Sequence, residues 1–174
     1  DLIVAGSHGF VKGFNNPKHW PECVDILTKR IDACAEAGVP SVITFTGMRE
    51  KEIPDDLGAK NCVEGYKKIV GYAEQKKVTL CLEMLNSRDN SHPMKGHPGY
   101  YGDDVDLCVD LIKQVGSPNF KLLFDIYHVQ IMNGDVVRTL RDNLDKVCHI
   151  HVAGVPTRSE IDDTQELNHP FIAR

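Results

Sequence analysis

No run of apolar residues in the 174-residue chain approaches the roughly 20 that a membrane-spanning helix requires. The opening Asp1-Leu2-Ile3-Val4-Ala5-Gly6 has neither a basic leader region nor a small-residue cleavage pattern, so a membrane or exported protein is not indicated. Basic clusters are equally scarce. Lys and Arg number 20 against 25 Asp and Glu, for a net charge of −5, and the longest basic runs are pairs such as Lys67-Lys68 and Lys76-Lys77. Such pairs are too short to follow a phosphate backbone, and nucleic acid is a poor partner. The six cysteines (Cys23, Cys34, Cys62, Cys81, Cys108 and Cys148) show no Cys-x-x-Cys spacing. They read as small core residues in a reducing, cytoplasmic compartment, with no disulfide framework or structural zinc. Neither Gly6-Ser7-His8-Gly9 nor Gly96-His97-Pro98-Gly99 gives a dinucleotide- or phosphate-binding glycine pattern, which removes support for a nucleotide cofactor. Low-complexity tracts and linkers are missing too, leaving one domain over residues 1–174.

What is present is an ordinary globular composition, 41% hydrophobic and 26% charged, enough to bury a real core. Five apolar runs of strand length lie at 2–5, 40–46, 78–85, 121–127 and 147–153. Between them apolar residues recur every three or four positions: Val24, Leu27, Ile31 and Ala35; Val63, Tyr66, Ile69 and Ala73; Val105, Cys108, Ile112 and Val115; Val137, Leu140, Leu144 and Val147. Gly38 and Gly116 stand where helices stop, and Asp103 or Asp104 and Asp135 where helices start. Strict alternation of strand and helix predicts a parallel sheet covered by helices. Two architectures satisfy it: an open doubly wound sheet, or about two thirds of a (β/α)8 TIM barrel. Residue 1 falls at the start of a strand-like run and a helix is just beginning at 168–174, so the chain is read as an internal portion of a longer protein.

Polar residues favour the barrel. Glu83 interrupts an apolar strand near its C-terminal end, Asp125 does so in the next, and His151 in the one after. Parallel α/β folds keep their active sites at that end, and a buried carboxylate is costly without a partner. Glu, Asp and His are the donors of a divalent metal site, and a cation between two carboxylates relieves their mutual desolvation. A curled sheet aims such side chains at one axis, whereas a flat sheet spreads them out. Of His149 and His151, only one is expected to point to the axis. The polar run 86–101 is long for a βα connection and reads as a lid, with His97 a candidate contact.

The motifs Leu82-Glu83-Met84-Leu85-Asn86, Phe124-Asp125-Ile126-Tyr127-His128, His149-Ile150-His151-Val152-Ala153-Gly154 through Arg158-Ser159-Glu160, and Gln165-Glu166-Leu167-Asn168 resemble those of the hydroxypyruvate isomerase family, within the xylose-isomerase-like TIM barrels. The resemblance implies that the chain carries barrel strands 3 to 7 and is truncated at both ends. Glu83 then resembles the glutamate that binds metal and exchanges a proton with substrate, and Asp125 and His151 resemble the other metal ligands. In some hydroxypyruvate isomerases glutamine stands at the position of His151; histidine there is similar to the ketose 3-epimerase branch. His128, Arg158 and Glu160 match substrate-binding positions, and a second catalytic glutamate is expected beyond Arg174, so this portion alone should be inactive.

The activity implied is interconversion of a small hydroxy-oxo acid, hydroxypyruvate and tartronate semialdehyde, by glutamate-mediated proton transfer through an enediolate with Mg²⁺ or Mn²⁺. Alternatives are a ketose 3-epimerase, a metal-dependent endonuclease, which the net charge disfavours, and a non-catalytic sugar-acid binding module. Among protein partners, a homo-oligomer is the one left open.

Overall fold

Parallel neighbours in a sheet need a crossover, and here each crossover carries at least one helix. The computed structural model describes residues 2–91 and 95–174, and its elements run β1 (Val4–Ala5), α1 (Trp20–Ala37), β2 (Ser41–Thr44), α2 (Asp55–Lys67), α3 (Val70–Lys76), β3 (Thr79–Glu83), α4 (Val105–Val115), β4 (Phe120–Asp125), α5 (Ile126–Met132), α6 (Val136–Asp142), β5 (Val147–His151) and α7 (His169–Ile172). The strands lie in the order β1-β2-β3-β4-β5, all parallel. A doubly wound sheet reverses its order at a switch point, whereas this one steps one way throughout. It is the arc of a TIM barrel, five strands long. No helix among the described residues is long and apolar enough to cross a membrane.

The two faces of the arc have different tasks. Leu80, Leu82, Leu122 and Phe124 are fully buried in one cluster with Leu27, Ile31, Tyr66 and Ile112 of the covering helices. Their alternates along the strands, Cys81, Glu83, Leu123 and Asp125, face the barrel axis, as the two-residue period requires. Helix ends follow the local chemistry. Gly38 and Gly116 terminate α1 and α4 in the left-handed conformation, at φ 69° and 73°. Asp104 accepts the Leu107 N–H at 3.0 Å to start α4. Asp135 precedes α6 without a side-chain cap.

Several boundaries depart from the sequence reading. The second helical segment divides into α2 and α3, because Lys68 and Ile69 turn their N–H groups to Gly65 and Tyr66 in a tightened turn. Ile69 stays buried across the break, so the apolar spacing runs through it unchanged. The fourth segment keeps only α6, which ends at Asp142, leaving Leu144 exposed in a 3-10 turn and Val147 in β5. β4 stops at Asp125, and His128 belongs to α5 instead of a strand. Five cysteines are buried, but Cys148, the extra residue of a bulge in β5, is exposed, as is Ile150 on the same edge strand.

That bulge fixes the site. Leu122 pairs with Val147, whereas Leu123 pairs with His149 and Asp125 with His151. Without the extra residue Asp125 would lie beside Ile150, and a one-residue slip exchanges the faces of a strand. His149 and His151, both past the bulge, share one face, with ring centroids 5.0 Å apart. The expectation that they diverge is corrected by their spacing of two.

Tyr100 ties the strand ends together. Its buried hydroxyl donates to the Glu83 carbonyl at 2.9 Å and accepts from the Thr46 N–H at 3.1 Å. Tyr100→Phe leaves both groups unpaired and is expected to destabilise the fold by about 1–3 kcal/mol, measured by urea denaturation; an unchanged midpoint contradicts the link.

Candidate active site

Glu83, Asp125 and His151 are the last residues of β3, β4 and β5. They converge as the sequence indicated. One donor atom from each lies within 4.8 Å of the others, close to the roughly 3–4.5 Å separations of oxygens and nitrogens sharing one divalent cation. Glu83 and Asp125 are 7% and 3% exposed, and burying two carboxylates together calls for a positive charge between them. The trio fits a divalent metal on chemistry and on spacing.

Asp125 divides its two oxygens. Oδ1 accepts the His128 N–H at 3.2 Å and caps α5. Oδ2 looks into the site, where His128 Nε2, His151 Nδ1 and Arg158 Nη2 stand at 3.7, 3.9 and 4.0 Å. These separations exceed a hydrogen bond, so three nitrogens surround the oxygen at arm's length. His151 Nδ1 lies nearer Glu83, 3.2 Å from Oε1.

The electrostatics follow from this crowding. Burial pushes the Asp125 carboxyl up to about 6; the His128 N–H opposes that, Glu83 adds to it, and Arg158 and His151 pull it back. His151 is raised, first by its hydrogen bond to Glu83 and, against burial, by the charges of Glu83 and Asp125. His128 is pushed down to about 2 by burial, then by Arg158, and stays neutral.

Arg158 sits at a positive φ of 54° with its guanidinium over the Tyr127 ring, 5.3 Å from the centroid. His97 is buried, its ring 4.2 Å from that of Phe10 and 5.9 Å from that of His128. The run 86–101 read as a lid is anchored at both ends by buried Asn86, His97 and Tyr100; its residues 92–94 lie outside the described ones. Glu160 is exposed on the turn closed by the Gly154 N–H to Ser159 carbonyl bond. Among the described residues no hydrogen bond or ion pair joins its side chain to the trio. Sequence reasoning missed Phe10, which lies in no motif, and gave no role to Tyr127 or Asn86, although Tyr127 lies within the Asp125 motif and Asn86 closes the Glu83 motif.

Comparison with known proteins gives concordant likenesses. The sequence model of the xylose isomerase-like TIM barrel matches residues 2–170. The 2-oxo-tetronate isomerase of Cupriavidus necator is 36% identical over 69% of this chain and 45% of its own length. A putative hydroxypyruvate isomerase of Caenorhabditis elegans is 30% identical over 98% of this chain and 64% of its own. The chain thus spans about half to two thirds of these relatives. A crystal structure of an AP endonuclease, family 2, from Brucella melitensis superposes with a TM-score of 0.81 at 21% identity, covering 98% of this chain and 65% of that one. At that identity the likeness is one of fold.

Asp125 titrates higher folded than unfolded, so the stability it contributes is fully present below pH ~4 and is lost as pH rises through about 6. Without metal, Asp125→Asn keeps an oxygen for the α5 cap, removes the buried charge, and is expected to stabilise the fold at pH 7 by up to about 3 kcal/mol. It should also flatten the fall in stability between pH 4 and 7, leaving the part due to His151, and abolish the rise in Tm produced by Mg²⁺ or Mn²⁺. Thermal denaturation with and without chelator checks this; an unaltered pH slope contradicts it.

Proposed function

This chain belongs to the xylose isomerase-like TIM barrel family, and from that premise we propose that the protein is a divalent-metal-dependent isomerase of a small hydroxy-oxo acid, with hydroxypyruvate and tartronate semialdehyde as the pair. The observation that carries this reading is the meeting of Glu83, Asp125 and His151 with Arg158 and His128 standing about Asp125 Oδ2. The names of the Cupriavidus and Caenorhabditis relatives, a 2-oxo-tetronate isomerase and a putative hydroxypyruvate isomerase, support the substrate class.

Glu83, Asp125 and His151 would hold a Mg²⁺ or Mn²⁺ ion, which would supply Lewis acidity toward the substrate carbonyl and its neighbouring hydroxyl. Glu83 removes a proton from the hydroxymethyl carbon, and the freed electron pair forms the double bond of an enediolate. The hydroxyl proton passes to the former carbonyl oxygen. A proton returned to the former carbonyl carbon, by Glu83 or by a second glutamate on a later strand, gives the aldehyde. Arg158, steadied on Tyr127, takes the substrate carboxylate in a two-pronged grip. Neutral His128 donates to a substrate oxygen without competing for the cation. His97 lines the wall beside it, and Glu160 belongs to the rim at the mouth.

A ketose 3-epimerase is the second reading, favoured by the aromatic wall of Phe10 and Phe45, whose rings lie 6.5 Å apart. That wall suits the C–H face of a longer polyol.

In the full-length protein Glu83→Gln is expected to lower turnover of hydroxypyruvate by about 10²–10⁴-fold and to stop solvent deuterium from entering the product, followed by NMR. Deuterium entering at the wild-type rate refutes the role of Glu83, and a wild-type protein that binds substrate without any exchange is a binding module instead. Arg158→Ala should raise KM for hydroxypyruvate by about 10–100-fold and leave turnover of ketohexoses unchanged; the reverse pattern favours the epimerase.

A further inference from the structure

The side chain of Asn86 is fully buried and all its polar atoms are engaged. Its Oδ1 accepts the Asp89 N–H at 3.0 Å and its Nδ2 donates to the Lys95 carbonyl at 2.7 Å. These two partners fix which end of the amide is which, since the reverse orientation would set oxygen against oxygen and N–H against N–H. The second Nδ2 hydrogen then points at His128 Nδ1, 2.7 Å away, and the backbone N–H of the same residue reaches Nδ1 at 3.1 Å. A backbone N–H can only donate. Nδ1 therefore faces two donors and must offer its lone pair, and a proton there would leave a fully buried N–H without a partner.

The ring proton consequently sits on Nε2, which has no hydrogen-bond partner among the described residues and stands 3.7 Å from Asp125 Oδ2. A protonated Nε2 does not ligate metal. It points a hydrogen into the space shared by Glu83, Asp125 and Arg158. The same Asn86 carbonyl accepts the His97 N–H at 2.7 Å, so one residue sets both histidine-bearing segments.

We infer that Asn86 is a positioning residue that locks His128 in the Nε2–H tautomer, making it a fixed hydrogen-bond donor to an oxygen of a hydroxy-carbonyl substrate at the Glu83–Asp125 site. The tautomer stands on geometry alone; the donation to substrate rests on the isomerase reading above. Asn86→Asp places a carboxylate oxygen against Nδ1 and draws a proton onto it.

The test uses the full-length protein labelled with ¹⁵N at histidine, with the His128 signals assigned by their loss in His128→Gln. Long-range ¹H–¹⁵N correlation of the wild type at pH 7 should show a bare Nδ1 and a protonated Nε2. Asn86→Asp should show Nδ1 protonated and lower kcat for hydroxypyruvate by about 10–100-fold, with Mg²⁺ affinity within about twofold. A wild-type His128 protonated on Nδ1, or an unchanged tautomer in the folded variant, overturns the inference. The wild-type spectrum decides the first point even where Asn86→Asp does not fold. Because the spectrum reads the tautomer with no substrate present, an inactive wild type with the stated tautomer refutes the isomerase reading and not the lock.

Discussion

Two carboxylates buried side by side repel one another and forgo hydration, and the upper rim of this barrel arc is organised around that conflict. Glu83 and Asp125 end adjacent strands, Glu83 in register with Leu123, two residues before Asp125, and His151 pairs with Asp125 from the third. The protein relieves part of the strain itself. Asp125 spends one oxygen on the cap of α5, His151 leans on Glu83, and Arg158 approaches from the loop. What is left is a negative, partly enclosed cradle in which a small divalent cation is the natural counter-charge.

The neighbouring histidines take opposite roles for reasons visible in their surroundings. His151 is partly exposed, and its raised affinity for a proton comes from the same carboxylates, Glu83 first. His128 is sealed off and held neutral, with Asn86 donating to its other nitrogen. Two imidazoles far apart in the chain but facing one carboxylate thus differ in proton affinity through burial and second partners, a division that residue type alone does not carry.

Most of the architecture was legible because parallel strands buried on both faces write themselves as short apolar runs, and a charged residue inside such a run is conspicuous. The strand order separated a barrel from a doubly wound sheet, and the positions of Glu83, Asp125 and His151 had already leaned that way. Other features have no periodic signature. The bulge at Cys148 changes pairing without changing composition; the shared face of His149 and His151, by contrast, was legible in their spacing of two and was misread. Asp125 has apolar residues on both sides, Phe124 before it and Ile126 after, and nothing there announces that the strand stops at Asp125 and a helix begins. The break between α2 and α3 leaves Ile69 in the core, hiding it from any count of spacing. Asn86 and Tyr127 act through contacts with residues far away in the chain, which local reading does not reach.

Crystals of the full-length protein grown with Mn²⁺ and measured at the manganese absorption edge give the most direct test of a shared cation. One anomalous peak is expected within about 2.3 Å of oxygens of Glu83 and Asp125 and a ring nitrogen of His151. A peak bound elsewhere, or none at saturating Mn²⁺, contradicts the site.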